Sequence, residues 1–237
     1  MREMTDNPVC ANIFAAGFVR TIGSTIVTAY TPVFFQRVFP GFKAKYAMLN
    51  AMALIGCGIS SSLLGGIISD KFEKKSYMTK ANIIMTGNVL SIPLVAMAVF
   101  SQNFYFAMIA FALKIFVSGS YQAPAITMMQ NTTRPSDSGL VVSVYTFFAY
   151  LAQTLSPLFF QGLARYFNAA ANPRIYGFLV LAATSVGYLG SNIFYRRAGK
   201  EYTKMMIAKD EMAESCELDP EMMEADVLSI KSEKSDK

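Results

Sequence analysis

Apolar residues along this chain gather into six long runs separated by short polar stretches. The runs are Ala11–Gln36, Ala47–Ser69, Ala81–Phe100, Phe104–Gln130, Gly139–Gly162 and Ile175–Tyr195. Each has about the 20 residues that a helix needs to cross a bilayer. None alternates apolar and polar residues over short segments as a barrel strand does, and lipid offers no partner for unpaired backbone groups. The pattern therefore predicts an all-α membrane protein with six transmembrane helices. Its organisation is a short stub at 1–10, a six-helix domain at 11–196 and a tail at 197–237. The tail is expected to begin helical and then become acidic and disordered.

Composition agrees. Charged residues make up only 16% of the 237 residues, against about 25% in a soluble domain. The first run is too long for a secretory signal and lacks a basic leader with a small-residue cleavage site. Cys10, Cys57 and Cys216 are odd in number and widely spread, which speaks against a disulfide framework.

The net charge of +5 hides a division. Arg196, Arg197, Lys200, Lys204 and Lys209 form a basic stretch suited to anionic headgroups. Residues 210–237 hold ten acids and three lysines, as a solvated tail does. Basic residues sit at membrane edges, so nucleic-acid binding is not expected. Six spans put both termini on one side. That side receives eleven basic residues outside the acidic tail, and the other receives five: Arg37, Lys43, Lys45, Arg165 and Arg174. The positive-inside rule then places both termini in the cytoplasm.

Two cations fall inside spans. Arg20 and Lys114 lie roughly 14 Å and 15 Å along their runs, near the midplane, where facing lipid costs several kcal/mol. Helical spacing aligns Arg20 with Ser24, Thr28 and Thr31, and Lys114 with Ser118, Tyr121 and Gln122. One reading is a cavity in which both cations grip a carboxylate or phosphate. The other is internal pairing with a carboxylate elsewhere, or snorkelling. No Asp, Glu or His lies in any of the six runs. No proton carrier and no general base for an intramembrane enzyme is therefore evident, and no cofactor or metal is expected. Pro124 follows Ser118-Gly119-Ser120, so Gly119 and Pro124 are hinge candidates, with a static kink as the alternative.

The stretch Gly66-Ile-Ile-Ser-Asp70-Lys71-Phe-Glu-Lys74-Lys75 ends the second run. It resembles the signature loop of the major facilitator superfamily: a glycine, three residues, an aspartate, a basic residue and further basics. Glu73 departs from the usual small or basic residue there. The fifth run, opened by Arg134-Pro-Ser-Asp-Ser-Gly139 and closed by Ser156-Pro157-Leu-Phe-Phe-Gln-Gly162, is similar to the family's eleventh helix. The likeness covers about residues 10–197.

The resemblance implies the C-terminal half of a twelve-helix fold, built as two inverted three-helix repeats. It further implies that spans one and four line a central cavity, and that Asp70 meets a helix start in the opposite half. The expected partners are a small solute, membrane lipids and a missing six-helix half, supplied by another chain, a longer gene product or a second copy. The expected function is secondary or facilitative transport of an organic or phosphorylated anion, or within that class a lipid of sphingolipid type. A non-transporting scaffold or receptor-like subunit is the alternative class.

Overall fold

The computed structural model describes residues 7–73, 76–169 and 173–218. Its helices are α1 Pro8–Val38, α2 Lys43–Glu73, α3 Thr79–Phe100, α4 Phe104–Gly119, α5 Gln122–Asn131, α6 Ser138–Tyr166 and α7 Pro173–Leu218, with a single 3-10 turn at Pro40–Phe42. No strand occurs among the described residues. Six helical stretches among them are long and apolar enough to cross a membrane, α4 and α5 together making the fourth. The protein is an integral, multi-pass membrane protein of the all-α class.

Local chemistry sets several ends. Asn7 caps α1 by accepting from the Val9 N–H at 3.0 Å, with Pro8 in the first turn. Its amide also donates to the Thr132 carbonyl at 3.0 Å, which ties the start of α1 to the end of α5. Asn103 caps α4 through the Tyr105 N–H. The apolar pattern ends at Tyr195, but α7 passes residue 196 without a break and continues to Leu218. From residue 196 to 218 the sequence holds mostly helix formers and no proline, so the helix has no reason to stop at the membrane edge.

α1 packs along α7, and α3 lies against both α7 and α4. α2 packs on α4, and α6 on α1. Gly23 and Gly187 bring α1 and α7 together backbone to backbone. A Cβ on Gly187 would stand 2.9 Å from the Gly23 Cα, a closeness only small residues permit. α2 and α6 are the least covered spans, and α2 exposes Met48, Met52, Ile55, Ile59, Leu63 and Ile67 along one side.

Two apolar cores fill the bundle. One, at the end carrying the N-terminus, includes Ile13, Ile84, Met128 and Tyr202. The other, at the far end, is rich in aromatics and includes Phe34, Phe35, Phe104, Phe111 and Phe160. A layer of buried polar residues separates them along the helices: Arg20, Asn88, Ser91, Lys114, Ser118 and Ser191.

Candidate functional site

The break between α4 and α5 organises the polar layer. Pro124 has no N–H to offer the Ser120 carbonyl one turn back, and its ring crowds that carbonyl. The helix therefore interrupts at Ser120 and Tyr121, between Gly119 and Pro124. The last carbonyls of α4 lose their helical partners, and side chains replace them. Ser61 of α2 donates to the Phe116 carbonyl. The Ser120 hydroxyl donates to the Val117 carbonyl at 3.0 Å. Arg20 Nη2 donates to the Ser118 carbonyl at 2.6 Å. A guanidinium at a helix C-terminus is also favoured by the helix dipole.

Arg20 is 2% exposed. Its Nε donates to Asn88 Oδ1 at 2.9 Å. The Asn88 amide donates onward to Asn192 Oδ1 at 2.8 Å and to Ser191 Oγ at 3.2 Å. One arginine thus joins α1, α3 and the broken fourth span, with α7 reached through Asn88. Lys114 is also buried. The two cations converge on one ring: Tyr188 has Arg20 Cζ 5.2 Å and Lys114 Nζ 6.0 Å from its centroid. Electron-rich ring faces stabilise cations removed from water.

The remaining expected residues assemble elsewhere. Ser24, Thr28, Tyr121 and Gln122 line an open groove of about 450 Å³ between α1, the start of α5 and α6. Thr21, Thr25, Thr146 and Gln153 share it. Ser118 is buried, and its carbonyl serves Arg20. The expected set therefore divides into an interior cation pair and a groove of hydroxyls and amides. Tyr121 connects them, lining the groove while its ring centroid lies 3.3 Å from Arg20 Cζ. The α6 contribution, Thr146 and Gln153, escaped the sequence reading. Gln153 lies within the fifth apolar run, and a polar residue at that depth was the available signal.

At the N-terminal end the signature stretch turns from α2 into α3. Lys74 and Lys75 lie outside the described residues, and Lys71 is in the last turn of α2. Gly66 lies 3.5 Å, measured from the place of a Cβ, from Ala123 of α5. The Asp70 side chain is 66% exposed, and Oδ1 stands 3.9 Å from Lys80 Nζ. Glu73, the residue that departs from the family pattern, makes the tighter pair. Its Oε2 is 2.8 Å from Lys80 Nζ, whose side chain is fully buried. Glu73 also accepts from the Tyr202 hydroxyl, which in turn accepts from the Asn131 amide at 2.9 Å. Lys209 donates to the Asn131 carbonyl at 2.6 Å, and the Tyr77 hydroxyl donates to Asp210. The α7 extension is thereby fastened to the α2–α3 turn and to the end of α5.

No protein-family model and no curated protein sequence matches the chain. Solved structures do match in fold. A bacterial homologue of the human lysosomal transporter Spinster, in an inward-facing and unoccupied conformation, superposes with a TM-score of 0.69 at 17% identity. The match covers 86% of this chain and 50% of that one. The inward-facing, occupied form of such a homologue gives 0.54 at 17% identity, covering 84% and 49%. This chain thus shares the fold of about half of such a homologue and spans about half the length of those structures.

Proposed function

We propose that the chain forms one half of a transporter that moves a small anionic solute across a membrane by alternating access. The groove between α1, α5 and α6 is its contribution to the solute path. The stacking of Tyr121 on Arg20 carries this reading. It sets a buried positive charge directly behind a residue of a polar, open groove, and no carboxylate lies in the six apolar runs to cancel it. In a low-dielectric setting such a charge favours an anion beside it. The Gln122 and Gln153 amides supply neutral donors that fix the solute without holding it too tightly, and Ser24 and Thr28, whose hydroxyls donate to the Thr21 and Ser24 carbonyls, give the groove a polar wall. Arg20 and Lys114 supply the potential, and the break at Gly119–Pro124 is the place where the fourth span bends between conformations. The Spinster homologues, captured facing inward, support the transport class.

The second half, as another chain, more of the same chain or a second copy, covers α2 and α6, whose apolar faces are the most exposed. Both termini face the cytoplasm, as the distribution of Lys and Arg demands. Proteoliposome uptake of radiolabelled inorganic phosphate, glycerol 3-phosphate and succinate tests the function, with this chain alone and with a candidate second half. Uptake above protein-free vesicles supports it. No uptake of any of the three in either preparation overturns the anion-transport reading.

A further inference from the structure

The far end of the bundle carries a second basic site that the groove does not use. All 16 acidic residues of the sequence lie in the stub, the tail, the turns at the N-terminal end or the helix ends next to them. The segments 30–50, 98–106 and 157–178 hold five cations and not one Asp or Glu. Two of those cations, Arg37 and Arg165, line one cleft of about 310 Å³ between the ends of α1, α6 and α7. Gln161 and Asn168 add amide groups to it, and Tyr30 and Tyr176 form apolar walls.

A cation in the last turn of a helix ordinarily complements the helix dipole. At the end of α6 that need is already met by backbone. Asn168 adopts a left-handed conformation, φ 47°. Its N–H donates to the Arg165 carbonyl at 3.0 Å, and the Ala169 N–H donates to the Ala164 carbonyl at 2.9 Å. Phe167 N–H takes the Leu163 carbonyl at 3.1 Å. This is a Schellman closure with asparagine in the left-handed position. It leaves the Arg165 guanidinium free of any capping duty. Arg37 rests against Tyr176, 5.3 Å from the ring centroid, which braces its fork at the cleft.

The cleft sits on the same α1–α6 seam as the central groove. Between the two, the Tyr30 hydroxyl donates to the Pro157 carbonyl at 3.2 Å, and the Tyr30 ring lies 4.1 Å from that of Phe160. A polar groove, an aromatic constriction and a basic mouth follow one another along two helices.

We propose that the cleft between Arg37 and Arg165 is an oxyanion-docking site at the far mouth of the protein, taking a phosphate group borne by a free ion or a lipid headgroup. Guanidinium forks match phosphate oxygens, and positive potential in a cleft raises the local concentration of anions. The site gives the solute path a charged entrance or exit. That role rests on the transport reading; the binding itself does not.

The test uses the full chain in phosphatidylcholine nanodiscs, titrated with inorganic phosphate by calorimetry at constant ionic strength set with chloride. A parallel arm counts retained phosphatidylglycerol by native mass spectrometry from doped discs. Saturable phosphate binding identifies the free ion, and selective phosphatidylglycerol retention identifies the headgroup. In either arm the Arg37→Gln/Arg165→Gln variant should bind about tenfold more weakly or less, and Arg37→Lys/Arg165→Lys should keep most of the binding. Matching circular dichroism melts show that the variants are folded. Equal binding by the glutamine variant, or no selective binding in either arm, overturns the proposal. Thr28→Val/Gln153→Leu removes any phosphate held in the central groove and should leave in place the binding that is sensitive to Arg37→Gln/Arg165→Gln. If that variant abolishes it, the anion sits in the groove, and the docking site falls while the transport reading stands.

Discussion

The Arg20 guanidinium stacks on Tyr121 at 3.3 Å and in the same pose donates to the Ser118 carbonyl at 2.6 Å. One side chain thus holds both edges of the α4–α5 break: the last turn before it and the residue within it that faces the groove. The positions of the break and of Tyr121 are coupled there. Whatever moves the break moves Tyr121.

Arg20→Gln is the direct probe. Glutamine cannot reach Asn88 and Ser118 together, so two buried polar groups lose partners, at about 1–3 kcal/mol for each group left unpaired. The expected outcomes are a lower melting temperature in detergent and loss of phosphate or succinate uptake. Arg20→Lys separates charge from shape. It keeps the positive potential but has no planar fork to stack and bridge, so it should retain part of the uptake while still melting early. Uptake equal to wild type in both variants removes Arg20 from the mechanism.

Close packing around the same break makes a second prediction. A Cβ on Gly65 would stand 2.6 Å from the Ser120 carbonyl oxygen, which is backbone and cannot swing aside. Gly58, two turns earlier on α2, has open space at the corresponding point. Gly65→Ala should therefore destabilise by about 1–3 kcal/mol through overpacking. Gly58→Ala should be neutral or slightly stabilising, since alanine favours the helix. Thermal unfolding of the two variants side by side checks this; equal melts would mean that α2 is not held against the break.

The contrast between those glycines shows what the sequence could and could not reveal. Six apolar runs were enough for six spans, because span length is a physical requirement of the bilayer and leaves its mark on every residue. Arg20 and Lys114 stood out for the same reason, as charges where charge is costly. Their partners did not. Asn88 and the Ser118 carbonyl are ordinary in sequence, and nothing in local spacing says that an arginine 68 residues away will bind Asn88. The signature stretch drew attention to Asp70 by its pattern. The tightly paired carboxylate is Glu73, the position that departs from the pattern, because it is the one that reaches Lys80 and Tyr202. The far-end cleft needed three helix ends in register, which only the fold supplies.

The fastening of the α7 extension responds to pH. The Tyr77 phenol titrates above its usual value of 10.0, chiefly because it donates to Asp210, with some burial and the nearby acids adding to the effect. A raised value in the folded protein means that the contact contributes fully below pH 10.0 and is lost as pH rises through the folded-state value. Ultraviolet difference titration against wild type should show Tyr77→Phe losing one of the late-ionising tyrosines, and Asp210→Asn returning that one to the ordinary range. An unchanged titration in Asp210→Asn would mean that the extension does not rest on the α2–α3 turn in solution.

Asp70 and Glu73 flank the same lysine, and their different surroundings predict different consequences. Asp70 is two-thirds exposed and 3.9 Å from Lys80 Nζ, so water already screens it. A long contact to so exposed a carboxylate contributes about 0–1 kcal/mol. Glu73 is largely enclosed, 2.8 Å from a lysine with no exposed surface, and it holds Tyr202 as well. Removing its charge strands a buried ammonium, a change that costs about 3–5 kcal/mol in buried pairs. Asp70→Asn should therefore leave the melting temperature nearly unchanged, and Glu73→Gln should lower it markedly. Glu73→Gln/Lys80→Met, which removes both charges together, should recover much of the loss. A double-mutant cycle in detergent measures the coupling directly. If Asp70→Asn proves the more damaging single change, the anchor of this turn is the signature aspartate, and Glu73 is a bystander beside it. If Glu73 dominates, Asp70 takes little part in holding the turn and stays exposed at the surface, where a second half can meet it.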